Sequence, residues 1–418
     1  MTNNPISPLH TGPFFWLMAA VFAVALGYGV ALPMLPFFLE RLLADSSRFS
    51  VSWHVGMMTS VYAFAMFLFA PLWGRLSDKV GRRPVILAGL GGFVVMLGAF
   101  GLSRELWFAY ASRMLGGLFA ASILPVASAY IAEMSLPDLR ARRFAWMGSA
   151  GLLGFLAGPM LGGWLSDASG QWISFAGRTG VTLVSMPFLV AAALGAAVWF
   201  LAYMEIPQYA GNAVVLPATD KTSTSPNSRS VNVLLLLTLL MMFGLGSFEV
   251  GFTLHGQQDL GLGPDRLSQM FVACMLVMIA TQLLVFPFLI KRWPIHFIAP
   301  PAFAVMAGGL VLLPAALDFG ALLVAVGLVA AGSGLLAPIM SYRISLAAGT
   351  AQGAVLGKQA AASSLGQAIG SVVAGFWFGL MNREPFWVTA GILLIGAALS
   401  AGIPLFAAQP AAKRGIGF

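Results

Sequence analysis

Apolar residues run in long stretches along this chain, and short polar clusters interrupt them at membrane-span intervals. A helix needs about 20 apolar residues to cross a bilayer. On that measure the pattern predicts twelve helices, at 14–39, 53–73, 84–102, 105–133, 143–166, 180–202, 231–255, 267–290, 295–316, 319–343, 354–380 and 385–407. Most connections are short: Ser103-Arg104-Glu105 alone divides the third helix from the fourth, and a turn near Asp318 divides the ninth from the tenth. The exception is Glu205 to Ser230, whose Ser, Thr, Pro and Asn content reads as a flexible linker. It divides the chain into a bundle over 1–204, a linker over 205–230 and a second bundle over 231–418. The predicted class is therefore all-α integral membrane, with twelve transmembrane helices in two six-helix bundles.

A repeat supports two equivalent halves. Gly154, Gly158 and Gly163 in the fifth helix recur 212 residues later as Gly366, Gly370 and Gly375 in the eleventh. Gly357 has its counterpart in Ala145. The other helix pairs show no repeat visible by inspection.

Composition agrees with a membrane protein. Of 418 residues, 59% are hydrophobic and 9% charged, against about 25% charge in a soluble domain. The single cysteine, Cys274, excludes an internal disulfide framework, and the four histidines lack metal-ligand spacing. No metal or cofactor is expected. The region from Met1 to Pro13 has no basic segment of the kind that opens a cleavable signal peptide.

The net charge of +8 raises the question of a nucleic-acid partner, and its distribution answers it. One set of loops carries Arg75, Lys79, Arg82, Arg83, Arg140, Arg142, Arg143, Lys221, Arg229, Lys291, Arg292, Arg343, Lys413 and Arg414, which is 14 of the 22 cations. The other set carries Arg41, Arg48, Arg104, Arg178, Arg266 and Arg383 against eight acids. Cytoplasmic loops are the basic ones. The basic balance is thus topology, with both termini expected in the cytoplasm, a lipid bilayer as surroundings and no nucleic acid.

Three stretches carry candidate mechanism. Between the second and third helices, Gly74-Arg75-Leu76-Ser77-Asp78-Lys79-Val80-Gly81-Arg82-Arg83-Pro84 packs four cations, one carboxylate and two glycines into a tight turn. Gly74 and Gly81 suit positive φ there, Pro84 suits the first turn of the next helix, and Asp78 should sit near Arg82 or a helix N-terminus. The fifth helix reads Gly154, Gly158, Pro159, Gly162 and Gly163, in which small residues four apart allow close helix approach and proline bends the axis. The fourth helix carries Arg113 about 12 Å deep and ends at Glu133. An arginine so placed needs water, an anion or backbone carbonyls.

In the second half, Glu249 follows eighteen mostly apolar residues, which sets it within the membrane toward the outer side. A carboxylic acid withdrawn from water can exchange protons near neutral pH. His255, one and a half turns on, reads as interfacial. Tyr28, Gln282, Tyr342, Lys358 and Gln359 are the other polar groups placed within spans, and Met34, Phe38 and Phe248 are candidates for an apolar lining.

The order G-x-L-S-D-K-x-G-R-R-P resembles the loop between helices 2 and 3 of major facilitator transporters. The run G-x-x-x-G-P-x-x-G-G is similar to the fifth-helix motif of their twelve-helix drug:proton antiporters, the tetracycline and multidrug exporters. The resemblance implies an inner gate built from Gly74, Asp78, Gly81, Arg82, Arg83 and Glu133, with Asp78 meeting the start of helix 11 near Gly353 to Lys358 when the cytoplasmic side closes. It implies a helix-5 bend at Gly154, Gly158, Pro159, Gly162 and Gly163, and gives Arg113 a part in proton coupling or substrate contact. Ala145 departs from the usual glycine, and the first helix lacks the acid that many relatives carry, so either coupling rests on Glu249 or the protein uses a different driving ion or none. The implied activity is alternating-access export of a small hydrophobic or amphipathic compound, with protons as coupling ion and the chain working as a monomer. Its ligand contacts are expected at Tyr28, Met34, Phe38, Arg113, Phe248, Glu249, Gln282 and Tyr342. A carrier for a specific metabolite or metal chelate stands as the alternative, and a non-transporting receptor or scaffold on the same fold as a more distant one. No nucleophile–base pair suggests an enzyme.

Overall fold

The computed structural model describes residues 11–43, 48–135, 137–167, 184–207, 228–316, 318–348, 352–381 and 384–402. Among these there are twelve helices and no strand: α1 (Thr11–Leu42), α2 (Arg48–Val80), α3 (Arg82–Gly101), α4 (Leu106–Met134), α5 (Pro137–Asp167), α6 (Met186–Glu205), α7 (Ser228–Leu254), α8 (Pro264–Arg292), α9 (Ile295–Leu312), α10 (Phe319–Ala348), α11 (Gln352–Met381) and α12 (Glu384–Gly402). Ten are long and apolar enough by themselves to cross a membrane. Most of the expected linker, the start of the expected sixth helix and the end of the twelfth lie outside the described residues, as do Arg178, Lys221, Lys413 and Arg414.

Several helices run beyond the apolar stretch that signals them. α5 begins at Pro137, ahead of its expected start, because polar residues outside the bilayer still satisfy backbone N–H and C=O groups by continuing the helix. The largest correction concerns the charged island. α2 continues as helix through Gly74 to Val80, so Gly74 is helical and has open space around it, and the chain turns only at Gly81, where φ is +100°. Elsewhere regular geometry gives way in short steps. α7 ends in a π turn at His255–Asp259, a second π turn at Thr281–Val285 interrupts α8, and α9 closes with a 3₁₀ turn at Leu313–Ala315. The Asp318 carboxylate then accepts the Ala321 N–H at 2.9 Å and starts α10.

The packing repeats with a six-helix offset. In the first half α1 packs on α5 and α6, α4 on α2 and α3, and α3 on α6. In the second half α7 packs on α11 and α12, α10 on α8 and α9, and α9 on α12. Across the halves, α5 meets α8 and α11 meets α2. In lipid, where tails are as apolar as side chains, small residues and buried hydrogen bonds drive such contacts. A side chain on Gly154 would meet the Phe22 carbonyl of α1, and one on Gly366 the Leu239 carbonyl of α7. Gly163 lies against Ser268 of α8, and Gly375 against Ser52 and Gly56 of α2.

The two ends of the bundle differ. The end carrying Arg75, Lys79, Arg82, Arg83, Lys291, Arg292 and Arg343 is here called the basic end. The cross-half contacts at Gly56–Gly375 and Gly163–Ser268 lie toward the opposite, far end. Toward the basic end α2 and α11 become exposed, at Leu68 and Leu72 and at Leu356 and Lys358. The glycine contacts that join the halves thus lie at the far end.

Candidate functional site

Glycine contacts bring a small polar cluster to the centre of the bundle. Gly246 of α7 lies against the Gln367 backbone of α11, and one turn later Glu249 points at the Gln367 side chain. Gly29 of α1 lies against the backbone of α5 at Phe155 and Gly158, which sets the preceding Tyr28 against the Phe155 ring, 5.3 Å between centroids. Gly117 of α4 meets the Tyr62 carbonyl of α2, which sets Arg113, one turn earlier, over the Tyr62 ring at 5.3 Å.

Three groups converge there. The Tyr28 hydroxyl donates to Glu249 Oε2 at 2.9 Å, and the Gln367 amide donates to the same oxygen at 3.0 Å and to the Tyr28 hydroxyl at 2.7 Å. Tyr28 belongs to the first half, Glu249 and Gln367 to the second, so this network crosses between the halves. Glu249 is 3% exposed and, among the described residues, is the one fully buried carboxyl. The Thr253 hydroxyl also bonds the Glu249 carbonyl.

Arg113 is 5% exposed and lines the same cavity as Tyr28, Glu249, Thr59 and Thr253. Its guanidinium does not pair with Glu249. It lies between the rings of Tyr62 and Phe100, 4.9 Å from the Phe100 centroid, and its Nε is buried without a hydrogen-bond partner. Rings attract such a cation, and more strongly once water is excluded. The cavity measures about 10 Å³, roughly the space one water requires.

The other residues named from the sequence lie elsewhere. Met34 is buried against Gly162 of α5. Phe38 sits in a ring cluster with Phe100 at 4.6 Å and Phe188 at 5.7 Å, and Phe248 stacks on Phe252 at 5.5 Å. Gln282 is half-buried in the α8 π turn, and Tyr342 is exposed on α10 toward the basic end. Three of the eight expected ligand contacts, Tyr28, Arg113 and Glu249, line the central cavity. His255, expected at the interface, is 2% exposed and bonded through Nδ1 to Asp259 at 2.8 Å. Burial follows from the π turn, which folds the ring inward against Phe386 of α12.

Gln367 was absent from the sequence expectations. It follows Gly366 directly, and its counterpart 212 positions earlier is Phe155. The two repeats thus place a phenyl ring and an amide on the same tyrosine, and a polar residue breaking one copy of an apolar repeat is a readable signal. Tyr62 gave no such signal, since one tyrosine in an apolar helix is common.

At the basic end Arg82 is bound on both sides: Nη1 to Asp78 at 2.6 Å and Nη2 to Glu133 at 2.6 Å. It also donates to the Ser77 hydroxyl, which in turn bonds the Gly74 carbonyl at 2.7 Å. Arg83 donates to the Tyr203 carbonyl at 2.7 Å and lies over that ring. Asp78 keeps 63% of its side chain exposed, and Lys358 on α11 is exposed too, so in this conformation the carboxylate is engaged within its own half. The fifth-helix glycines do separate work along one face: Gly154 and Gly158 seat α5 on α1, Pro159 packs on Gly29, and Gly163 meets α8 of the other half.

Known proteins resemble the chain along most of its length. "Multidrug resistance protein 1" of Bacillus subtilis (strain 168) is 27% identical over 389 residues, covering 92% of this chain and 94% of the relative. The "Quinolone resistance protein NorA" of Staphylococcus aureus (strain COL) is 25% identical over 389 residues, covering 92% and 95%. Among solved structures, a bacterial homologue of the human lysosomal transporter Spinster superposes with a TM-score of 0.74 at 13% identity, covering 93% of this chain and 95% of that one. The human organic anion transporter MFSD10 superposes with a TM-score of 0.68 at 20% identity, covering 94% and 100%. Residues 17–328 match the family model described as Major Facilitator Superfamily. With that match spanning most of the chain and the fold shared with solved transporters, this membrane protein belongs to the Major Facilitator Superfamily of transporters.

Proposed function

We propose that the protein exports small hydrophobic or amphipathic compounds from the cytoplasm in exchange for protons. The observation that carries this reading is the buried Glu249 carboxyl, held from across the domain interface by the Tyr28 hydroxyl. A hydrogen bond to an ionised carboxylate is about twice as strong as one between neutral groups. Protonating Glu249 therefore weakens a bond between the two halves, and a ligand or proton that favours one arrangement shifts the population toward it. The proton and the conformation are linked through one bond.

The remaining parts fit the same cycle. The basic end is cytoplasmic by its excess of Lys and Arg. The apolar and aromatic surroundings of the centre suit a lipophilic body, and Arg113 supplies the one buried positive charge along the cavity. The names of the relatives in Bacillus and Staphylococcus support drugs as the substrate class, and the bilayer, protons and one small molecule suffice as partners for a monomer. Asp78 and Arg82 act as the inner gate and meet α11 when the cytoplasmic side closes.

The test is flux in proteoliposomes. Purified protein should drive a lipophilic cation such as tetraphenylphosphonium uphill when a pH gradient is imposed, and dissipating the gradient should stop it. Flux unaffected by the gradient would overturn proton coupling and leave facilitated diffusion.

A further inference from the structure

The far end of α7 carries polar chemistry that the central site does not use. After Leu254 the helix widens into the π turn His255–Asp259, where the Leu260 N–H reaches back five residues to the His255 carbonyl at 3.1 Å. Within it the His255 Nδ1 and the Asp259 carboxylate are 2.8 Å apart, one turn from each other. Two neighbouring glutamines face the other half. The Gln257 amide donates to Glu40 on α1 at 2.8 Å, and the Ser52 hydroxyl of α2 donates to Gln258 at 3.3 Å. Gly256 allows this turn to lie against Leu267 of α8, and Gly261, with φ +62°, ends it.

We propose that His255 and Asp259 are positioning residues of a far-end latch. Their bond holds the π turn in the one register that sets Gln257 on Glu40 and Gln258 on Ser52, keeping the far end closed while the basic end is open. The proposal rests on the alternating-access reading above and makes no use of its proton coupling.

Three features support it. Each residue of a regular helix advances about 100°, so replacing the wide turn by α-helix would swing both glutamines away from their partners. Such insertions are rare and concentrate at functional positions. The closed latch also leaves polar atoms unsatisfied: His255 Nε2 and Gln257 Oε1 are buried without a hydrogen-bond partner. Opening the far end would return both to water, which offsets part of the latch's own bonds and keeps it reversible. The latch further shares a helix with Glu249, so movement at one is passed along α7 to the other.

The experiment reads far-end opening directly. Ser268, buried on α8 against Gly163, becomes the reporter as Ser268→Cys in a Cys274→Ala background, labelled with a bulky maleimide in lipid nanodiscs. Gln257→Ala, which removes one latch contact and leaves the turn intact, should raise the labelling rate about tenfold. Asp259→Ala should do the same, while Asp259→Asn, which can still accept from His255, should stay near the parent rate. The combination Asp259→Ala with Gln257→Ala should label no faster than Asp259→Ala alone, because Asp259 acts through both glutamines. Parent-rate labelling of Gln257→Ala overturns the latch, and it does so even if the Asp259 variants fail to fold. Equal acceleration by Asp259→Ala and Asp259→Asn, or additive effects in the combination, overturns the positioning role. These outcomes are independent of whether flux responds to a pH gradient.

Discussion

The two halves share a scaffold and divide the chemistry. α5 and α11 use the same glycine face, each seating on the first helix of its own half and touching a helix of the other at the far end. One position past the first glycine they diverge. α5 presents Phe155 to Tyr28, and α11 presents Gln367 to the same residue. The first half supplies a hydroxyl and a buried cation, the second an amide and a buried acid. Close packing tolerates little change in either copy, whereas the polar residues need occur only once. Repeated glycines therefore report on architecture, and breaks in the repeat report on function.

The comparison is broken most severely at the glycines. A side chain at Gly158 would lie 2.6 Å from the α1 backbone, and one at Gly370 would collide with the Phe243 carbonyl of α7. Overpacking of this kind costs about 1–3 kcal/mol or more, and the clash here is with backbone, at the upper end of that range, so Gly158→Leu and Gly370→Leu should each lower flux by about a hundredfold. Full transport by either one would mean that its half does not need the close approach. Asp78→Asn comes next. It removes a charged partner of Arg82 with little packing, so flux should fall about tenfold or more while membrane levels stay near normal. Unchanged crosslinking between cysteines placed across the basic end would remove Asp78 from the gate.

The asymmetry is sharpened by exchanging the divergent residues. Gln367→Phe deletes a donor to a buried carboxyl, a loss of about 1.5–3 kcal/mol, and pH-driven flux should drop about tenfold to a hundredfold. Phe155→Gln changes only ring packing and should cost less. The reverse ranking would place the chemistry in the first half. Ala145→Gly should have the smallest effect, within about twofold, because Ala145 is exposed and Gly357, its counterpart, has open space around it.

Much of this was legible before any coordinates. The apolar runs marked all twelve helices, since a span-length stretch free of charge has few other meanings. Glu249 and Arg113 stood out because charge at that depth is costly. Helix ends were less legible: polar residues such as Gly74 to Val80 read as a turn, yet they extend α2 as readily as apolar ones. Met34, Phe38 and Phe248 were indistinguishable in sequence from lining residues, because an aromatic or methionine in an apolar helix gives no sign of which neighbour it meets. The π turn left no periodic mark, so the burial of His255 against Phe386 was not legible in the sequence.

The central claim is that Glu249 carries the coupling proton, and proton release on ligand binding tests it most directly. Detergent-purified protein in weak buffer near neutral pH, mixed with a compound that it transports, should release about one proton per ligand bound, as linkage requires of competing occupants. Glu249→Gln should bind neutral ligands and release none. Proton release from Glu249→Gln equal to that of the parent protein would contradict the account.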